Sequence, residues 1–196
     1  MTSEERMATN MAIRAAIVAI DEIMGKNATK IFFSKANKRH VYENPPDYNF
    51  EPCMKVSEQA AIYRAIMDLM GFKGGIVLWR RIGYSVMKCA VEIGHILDGF
   101  TALSPAEKFN KGMEVFVMAS GKGKLVLGPE GIAEFDSFDC FSCEGYRFER
   151  PVCSHYEGIV QFLSDWAFGK DVYLARETLC MAKGDKTCYV KLVKKE

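Results

Sequence analysis

The stretch "ETLCMAKGDKTC", residues 177–188, decides how the last third of the chain is read. It sets a carboxylate and two thiols around a Gly184-Asp185 step, between "KDVYLARETLC" and "TCYVKLVKK", whose β-branched and aromatic residues alternate as strands do. A tight turn over Met181–Thr187 makes a hairpin and folds Cys188 back towards Glu177 and Cys180. Upstream, "SHYEGIVQFLSDWAFG" places Ile159, Phe162, Leu163 and Trp166 on one helical face, with Cys153 at its start.

Three sulfurs and a carboxylate drawn from a hairpin and a helix start make a tetrahedral set: Cys153, Glu177, Cys180 and Cys188. With no open position, such a set suits a structural ion, and soft thiolates favour zinc or an iron centre. The alternative is that the same residues are simply core thiols beside a surface glutamate. Cys140-x2-Cys143 is a possible second thiol site: a redox dithiol, half a zinc knuckle, an iron–sulfur ligand pair with Cys153, or a loop staple. His155 reads as a hydrogen-bond partner, and Cys53 and Cys89 as small buried hydrophobes.

The rest of the chain supports one α+β unit, helices first and then an antiparallel sheet carrying packed helices. Apolar residues at helical spacing predict a helix over 4–25 and another over 28–37. Pro45 and Pro46 break the pattern. Helices follow from Ser57 to Gly71, then through "GGIVLWRRIGYSVMKCAVEIGHIL", then from Ser104-Pro105 towards Phe116. Gly83, inside the second of these, predicts close approach of another backbone. "GKGKLVLGPEGIAEF" reads as a β-hairpin, and "DCFSCEGYRFERPVC" as a cysteine-bearing connector.

Of the 196 residues, 49% are hydrophobic, enough for a core, and 26 basic against 25 acidic residues leave a net charge of +1. That balance excludes the electrostatic footprint of a nucleic-acid binder. No uninterrupted apolar run can span a bilayer, and no leader-like segment opens the chain. A cytoplasmic protein that contacts neither nucleic acid nor membrane is expected, its seven cysteines reduced. Without a G-x-G-x-x-G after a strand, nucleotide-dependent enzymology is not expected.

The run "RPVCSHYEGIVQFLSDWAFGKDVYLARETLCMAKGDKTCYVKL" resembles the 4-vinyl reductase domain family in Cys153, Gly158, Gly169-Lys170, Glu177, Cys180, Gly184-Asp185 and Cys188. Upstream, "IVLWRRIGYSVMKCAVEIG" is similar to that family's long helix. The resemblance implies a TRAPP-like α+β fold, with residues 1–70 as a helical packing or dimerisation part and 71–196 as the domain proper, in one compact unit. It implies a structural Zn2+ on Cys153, Glu177, Cys180 and Cys188, a homodimer, and a cavity for a small hydrophobic or aromatic molecule. Trp79, Phe109, Met113, Phe116, Phe135, Phe162 and Trp166 are the pocket candidates. The expected function is a zinc-stabilised ligand-binding or sensor domain. Vinyl reduction in tetrapyrrole metabolism and a cysteine-rich redox or iron–sulfur protein stand as alternatives.

Overall fold

A computed structural model of the chain describes residues 6–121, 123–143 and 145–195. Strand β1 (Met7–Thr9) pairs antiparallel with β2 (Pro52–Lys55). Between them run α1 (Asn10–Met24), α2 (Lys26–Lys35) and α3 (Arg39–Glu43). Helix α4 (Val56–Glu92) and α5 (Pro105–Ser120) follow, then β3 (Lys124–Leu127) and β4 (Ala133–Ser137). The chain closes with α6 (Ser154–Phe168), β5 (Tyr173–Leu179) and β6 (Cys188–Lys194). Strands β3 to β6 form an antiparallel sheet in the order β3-β4-β6-β5. The α+β class expected from the sequence is the class observed.

The first helix begins later than its periodicity predicts. Residues 7–9 pair with β2, and the Thr9 hydroxyl accepts the Ala12 N–H at 3.3 Å, so the helix starts at Asn10. The earliest residues of the expected helix, 4 and 5, lie outside the described residues. The two helices expected on either side of Gly71 run on as α4, broken only where Gly71 takes φ 69° and ψ 176°. Glycine has no Cβ to clash in that conformation. The N-terminal boundary is capped not by Ser57 but by Lys55, whose N–H is accepted by Glu58 at 2.8 Å.

The centre of the molecule is the crossing of α4 and α6. A Cβ at Gly83 would lie 1.9 Å from the His155 carbonyl oxygen, and one at Gly158 would lie 2.0 Å from that of Arg80. Each helix thus presses a bare backbone into the other. The close approach predicted at Gly83 is made, by α6 of the same chain. Ser154 Oγ donates to the Ile76 carbonyl at 2.7 Å and fixes the register of the crossing. This places Cys153, the residue that opens α6, against the edge of the sheet.

The candidate pocket residues mostly fill this core. Trp79, Phe109, Met113 and Phe135 are fully buried, Phe116 and Phe162 nearly so, and all pack in the single hydrophobic cluster. Phe116 packs tilted against Phe135 with ring centroids 5.2 Å apart, and Trp79 against Tyr63 at 5.4 Å. Trp166 is partly buried under the Lys108 ammonium, 4.6 Å from its ring centroid.

Candidate metal centre

The sheet brings three of the four expected ligands together by a local irregularity. In a regular strand, residues three apart face opposite sides. Glu177 and Cys180 are three apart, yet both are buried, with Thr178 and Leu179 exposed in succession between them. The cause is a β-bulge: Glu177 pairs with Val190 and Leu179 with Tyr189, leaving Thr178 as the extra residue. Gly184, at φ 109°, then turns the chain. Asp185 holds that turn by accepting the Cys180 N–H at 2.8 Å. Cys188 opens β6 opposite Ser137 and faces inward.

Cys153 arrives from the other direction. Its N–H donates to Glu177 Oε2 at 2.8 Å, so the carboxylate clasps the start of α6. Glu157, one turn on, accepts the Glu177 N–H at 2.8 Å and the Arg80 guanidinium at 2.9 Å. Arg80 also donates to the Ala175 carbonyl at 3.2 Å, which ties α4, α6 and β5 into one support. Arg80→Met should cost about 2 kcal/mol, because Glu157 would keep its charge without its guanidinium. A lowered urea midpoint at unchanged slope would check this.

The connector between β4 and α6 adds what spacing could not place. Cys140 Sγ lies 3.0 Å and Cys143 Sγ 2.9 Å from Cys153 Sγ. Cys143 Sγ also stands 3.4 Å from Cys188 Sγ and 3.5 Å from Cys180 Sγ. Cys140 and Cys143 are therefore part of the same cluster, not a second site. All five thiols are buried and free. Two overlapping sets have ligand atoms within 4.8 Å of one another: Cys140, Cys143, Cys153, Cys188, and Cys153, Glu177, Cys180, Cys188.

The electrostatics of the cluster ask for a cation. Glu177 is 8% exposed, and its Oε1 has no hydrogen-bond partner among the described residues. Burial, then the neighbouring Cys180 thiolate, pushes its carboxyl up to about 9. Burial likewise drives the Cys153 thiol up, with its four sulfur neighbours adding to the effect. Hydrogen bonds from Cys140, then from the other three thiols, hold Cys143 far below the usual thiol range. The Met181 N–H, 3.3 Å from Cys188 Sγ, adds a backbone donor. Tetrahedral metal–thiolate bonds of about 2.3 Å would set sulfurs roughly 3.8 Å apart, a small expansion of the spacing seen.

Cys53 and Cys89 lie apart from the cluster and are half-buried, less enclosed than the sequence suggested. Of the three histidines, His40 and His95 are exposed. His155 is 4% exposed, its Nδ1 2.8 Å from the Tyr63 hydroxyl and its ring boxed by Tyr63, Phe141 and Tyr156. It borders a cavity of about 120 Å³ that Phe116 also lines. Phe162 and Trp166 line a separate surface groove of about 360 Å³. The remaining pocket candidates line none of the described cavities.

Neither protein-family descriptions nor curated proteins match the chain. Solved structures do. One, from work on heme distortion in the H-NOX family, superposes with a TM-score of 0.64 at 14% identity, covering 96% of each chain. The fold is that of H-NOX domains. A second, from work on heme redox potential and porphyrin distortion, gives a TM-score of 0.61 at 15% identity and again 96% of each chain. An H-NOX protein from S. oneidensis in the Fe(II)NO ligation state gives 0.61 at 10% identity, covering 96% of this chain and all of that one.

These likenesses overturn the 4-vinyl reductase assignment and the TRAPP-like architecture that came with it. With it go the structural zinc, the zinc-stabilised site for an aromatic or hydrocarbon ligand, vinyl reduction and the iron–sulfur alternative. The four residues expected to act together, Cys153, Glu177, Cys180 and Cys188, do converge, and Cys140 and Cys143 join them in the same cluster.

Proposed function

We propose that this chain is a metal-centred responsive domain on the H-NOX fold, in which the buried thiol cluster holds one soft metal ion. The unpartnered Glu177 Oε1, buried among five thiols, carries this reading: without a cation such buried acids are kept protonated, and a soft ion would take the place of those protons and give the oxygen its missing partner.

The fold likeness raises heme first, and the residues do not fit it. A cofactor slot is mostly apolar and roughly 300 Å³ or larger. The cavity beside His155 is about 120 Å³, and the volume around it is filled by Tyr63, Phe135 and Tyr156, all fully buried. The larger cavity, about 510 Å³ beside Cys140 and Cys143, opens to solvent and presents Asp139, Asp185 and Arg147. These charged groups and the thiols face an open cavity, not an enclosed apolar slot.

Thiolate sulfur selects soft metals over magnesium or calcium. Bound there, the ion would join the sheet, α6 and the connector, so its arrival or loss would be felt by three elements at once. Purification from cells supplied with a heme precursor, followed by elemental analysis and optical spectra, tests the reading. About one equivalent of a thiophilic metal without a Soret band is expected. Stoichiometric heme, or protein free of metal even after incubation with it, would overturn the proposal. The homodimer expected from the sequence stays a proposal too, which light scattering on the same sample addresses.

A further inference from the structure

Five sulfurs and a carboxylate exceed what a four-coordinate ion uses, and the excess is ordered in space. Cys153 and Cys188 belong to both ligand sets. Cys140 and Cys143 complete one from the connector, and Glu177 and Cys180 complete the other from the sheet. Only the connector pair lines the solvent-open cavity of about 510 Å³, with Asp139 and Asp185 at its wall. Glu177 and Cys180 do not line it.

We propose that this cavity is the port through which the soft metal ion reaches the cluster, with Cys140 and Cys143 as the capture pair. The inference rests on the metal-centre reading above. The ion is taken first by Cys140, Cys143, Cys153 and Cys188, then passes to Cys153, Glu177, Cys180 and Cys188. Cys143 is the pivot of the transfer, since its sulfur reaches Cys153, Cys188 and Cys180 within 3.5 Å. The ion therefore changes partners without returning to water. No electron moves: the Cys180 sulfur and a Glu177 oxygen bind the ion as the Cys140 and Cys143 sulfurs leave. Protons shed by the arriving groups are taken up by the departing thiolates or by water in the cavity.

Both cavity carboxylates favour a cation's approach, and Arg147, exposed on the same wall, opposes it. Asp139 has one oxygen in an ion pair with Arg6, while its Oδ1 has no hydrogen-bond partner among the described residues.

The test uses the full chain, stripped of metal under reducing conditions, and cobalt(II) alone as probe. Thiolate-to-cobalt absorbance reports loading, and EDTA reports release. Cys140→Ser with Cys143→Ser should leave about one cobalt per chain at equilibrium but slow both loading and release at least about tenfold. Arg147→Glu, which touches no thiol, should speed loading severalfold at low ionic strength and lose that advantage in high salt. Circular dichroism confirms that each variant is folded, and the arginine variant stands as the test should the double serine variant fail to fold. Wild-type loading rates in the folded variants would overturn the port. Failure of the wild-type chain to bind cobalt would instead overturn the metal centre itself.

Discussion

Cys153→Ser is expected to abolish metal binding and to remove the metal's share of stability together. Cys153 is the residue to change because it belongs to both ligand sets and touches Cys140, Cys143 and Cys188 within 3.4 Å. Neither set can close without it. A serine oxygen is a harder, shorter donor and replaces the thiolate poorly on a soft ion. Since the unfolded chain does not preform the site, binding energy is folding energy. At a free metal concentration a thousandfold above the dissociation constant, the loss is about 4 kcal/mol. The wild-type melting temperature should fall when a chelator is added, and that of the variant should not move. Cys53→Ser, half-buried and in neither ligand set, serves as the control. Full metal content and wild-type melting in Cys153→Ser would sink the assignment.

Gly83→Ala and Gly158→Ala should each cost on the order of 4 kcal/mol or more, the largest effects expected of any single methyl group in this chain. At Gly158 the added carbon meets the Arg80 carbonyl oxygen at 2.0 Å and the Tyr84 nitrogen at 2.7 Å; at Gly83 it meets the His155 carbonyl at 1.9 Å. Backbone cannot rotate aside as a side chain can, so α4 and α6 must part. For a domain of this size the melting temperature should drop by about 10 °C or more. Gly74→Ala makes the contrast. Its carbon meets only the Met70 side chain, at 3.1 Å, and alanine there restores about 1 kcal/mol of helix propensity. Equal melting of all three variants would show that the crossing is not held by backbone contact.

Separating α4 from α6 would also move Cys153 away from Glu177. The two predictions are therefore coupled: the glycine variants should bind metal more weakly though they change no ligand.

Much of this architecture is legible in the sequence because local rules agree with the fold. Ile159 and Leu163 repeat at helical spacing, Ser104-Pro105 starts α5 with Glu107 as its capping partner, and the Gly184-Asp185 turn closes the last hairpin. The approach of Cys188 to Cys180 follows from the same turn, whereas Glu177 joins them through the bulge at Thr178 and Cys153 through the start of α6. Other parts depend on contacts remote in sequence. Strand β1 is three residues long, and its partner lies more than forty residues away, so nothing in "MAT" shows it. Cys140 and Cys143 join the cluster because the connector folds back through tight turns, which their own spacing does not encode. A hairpin that hands a carboxylate and thiols to one point also constrains only its own neighbourhood. It fits more than one surrounding architecture, which is why the family resemblance misled. The aromatic residues proposed to line a ligand pocket share their pattern with any well-packed interior.

The bulge at Thr178 has a consequence for parity along β5. Deleting Thr178 would shorten the strand by one residue and let every backbone group pair in regular order, so the sheet itself would lose little. Glu177 and Cys180 would then stand two apart and would still share a face. With Thr178 present, a regular pairing would turn one of the two away, so the bulge alone keeps both on the cluster while Asp185 holds the turn beyond them to the Cys180 N–H. One irregular residue thus sets the phase between a strand and its turn, and that phase is what the cluster depends on.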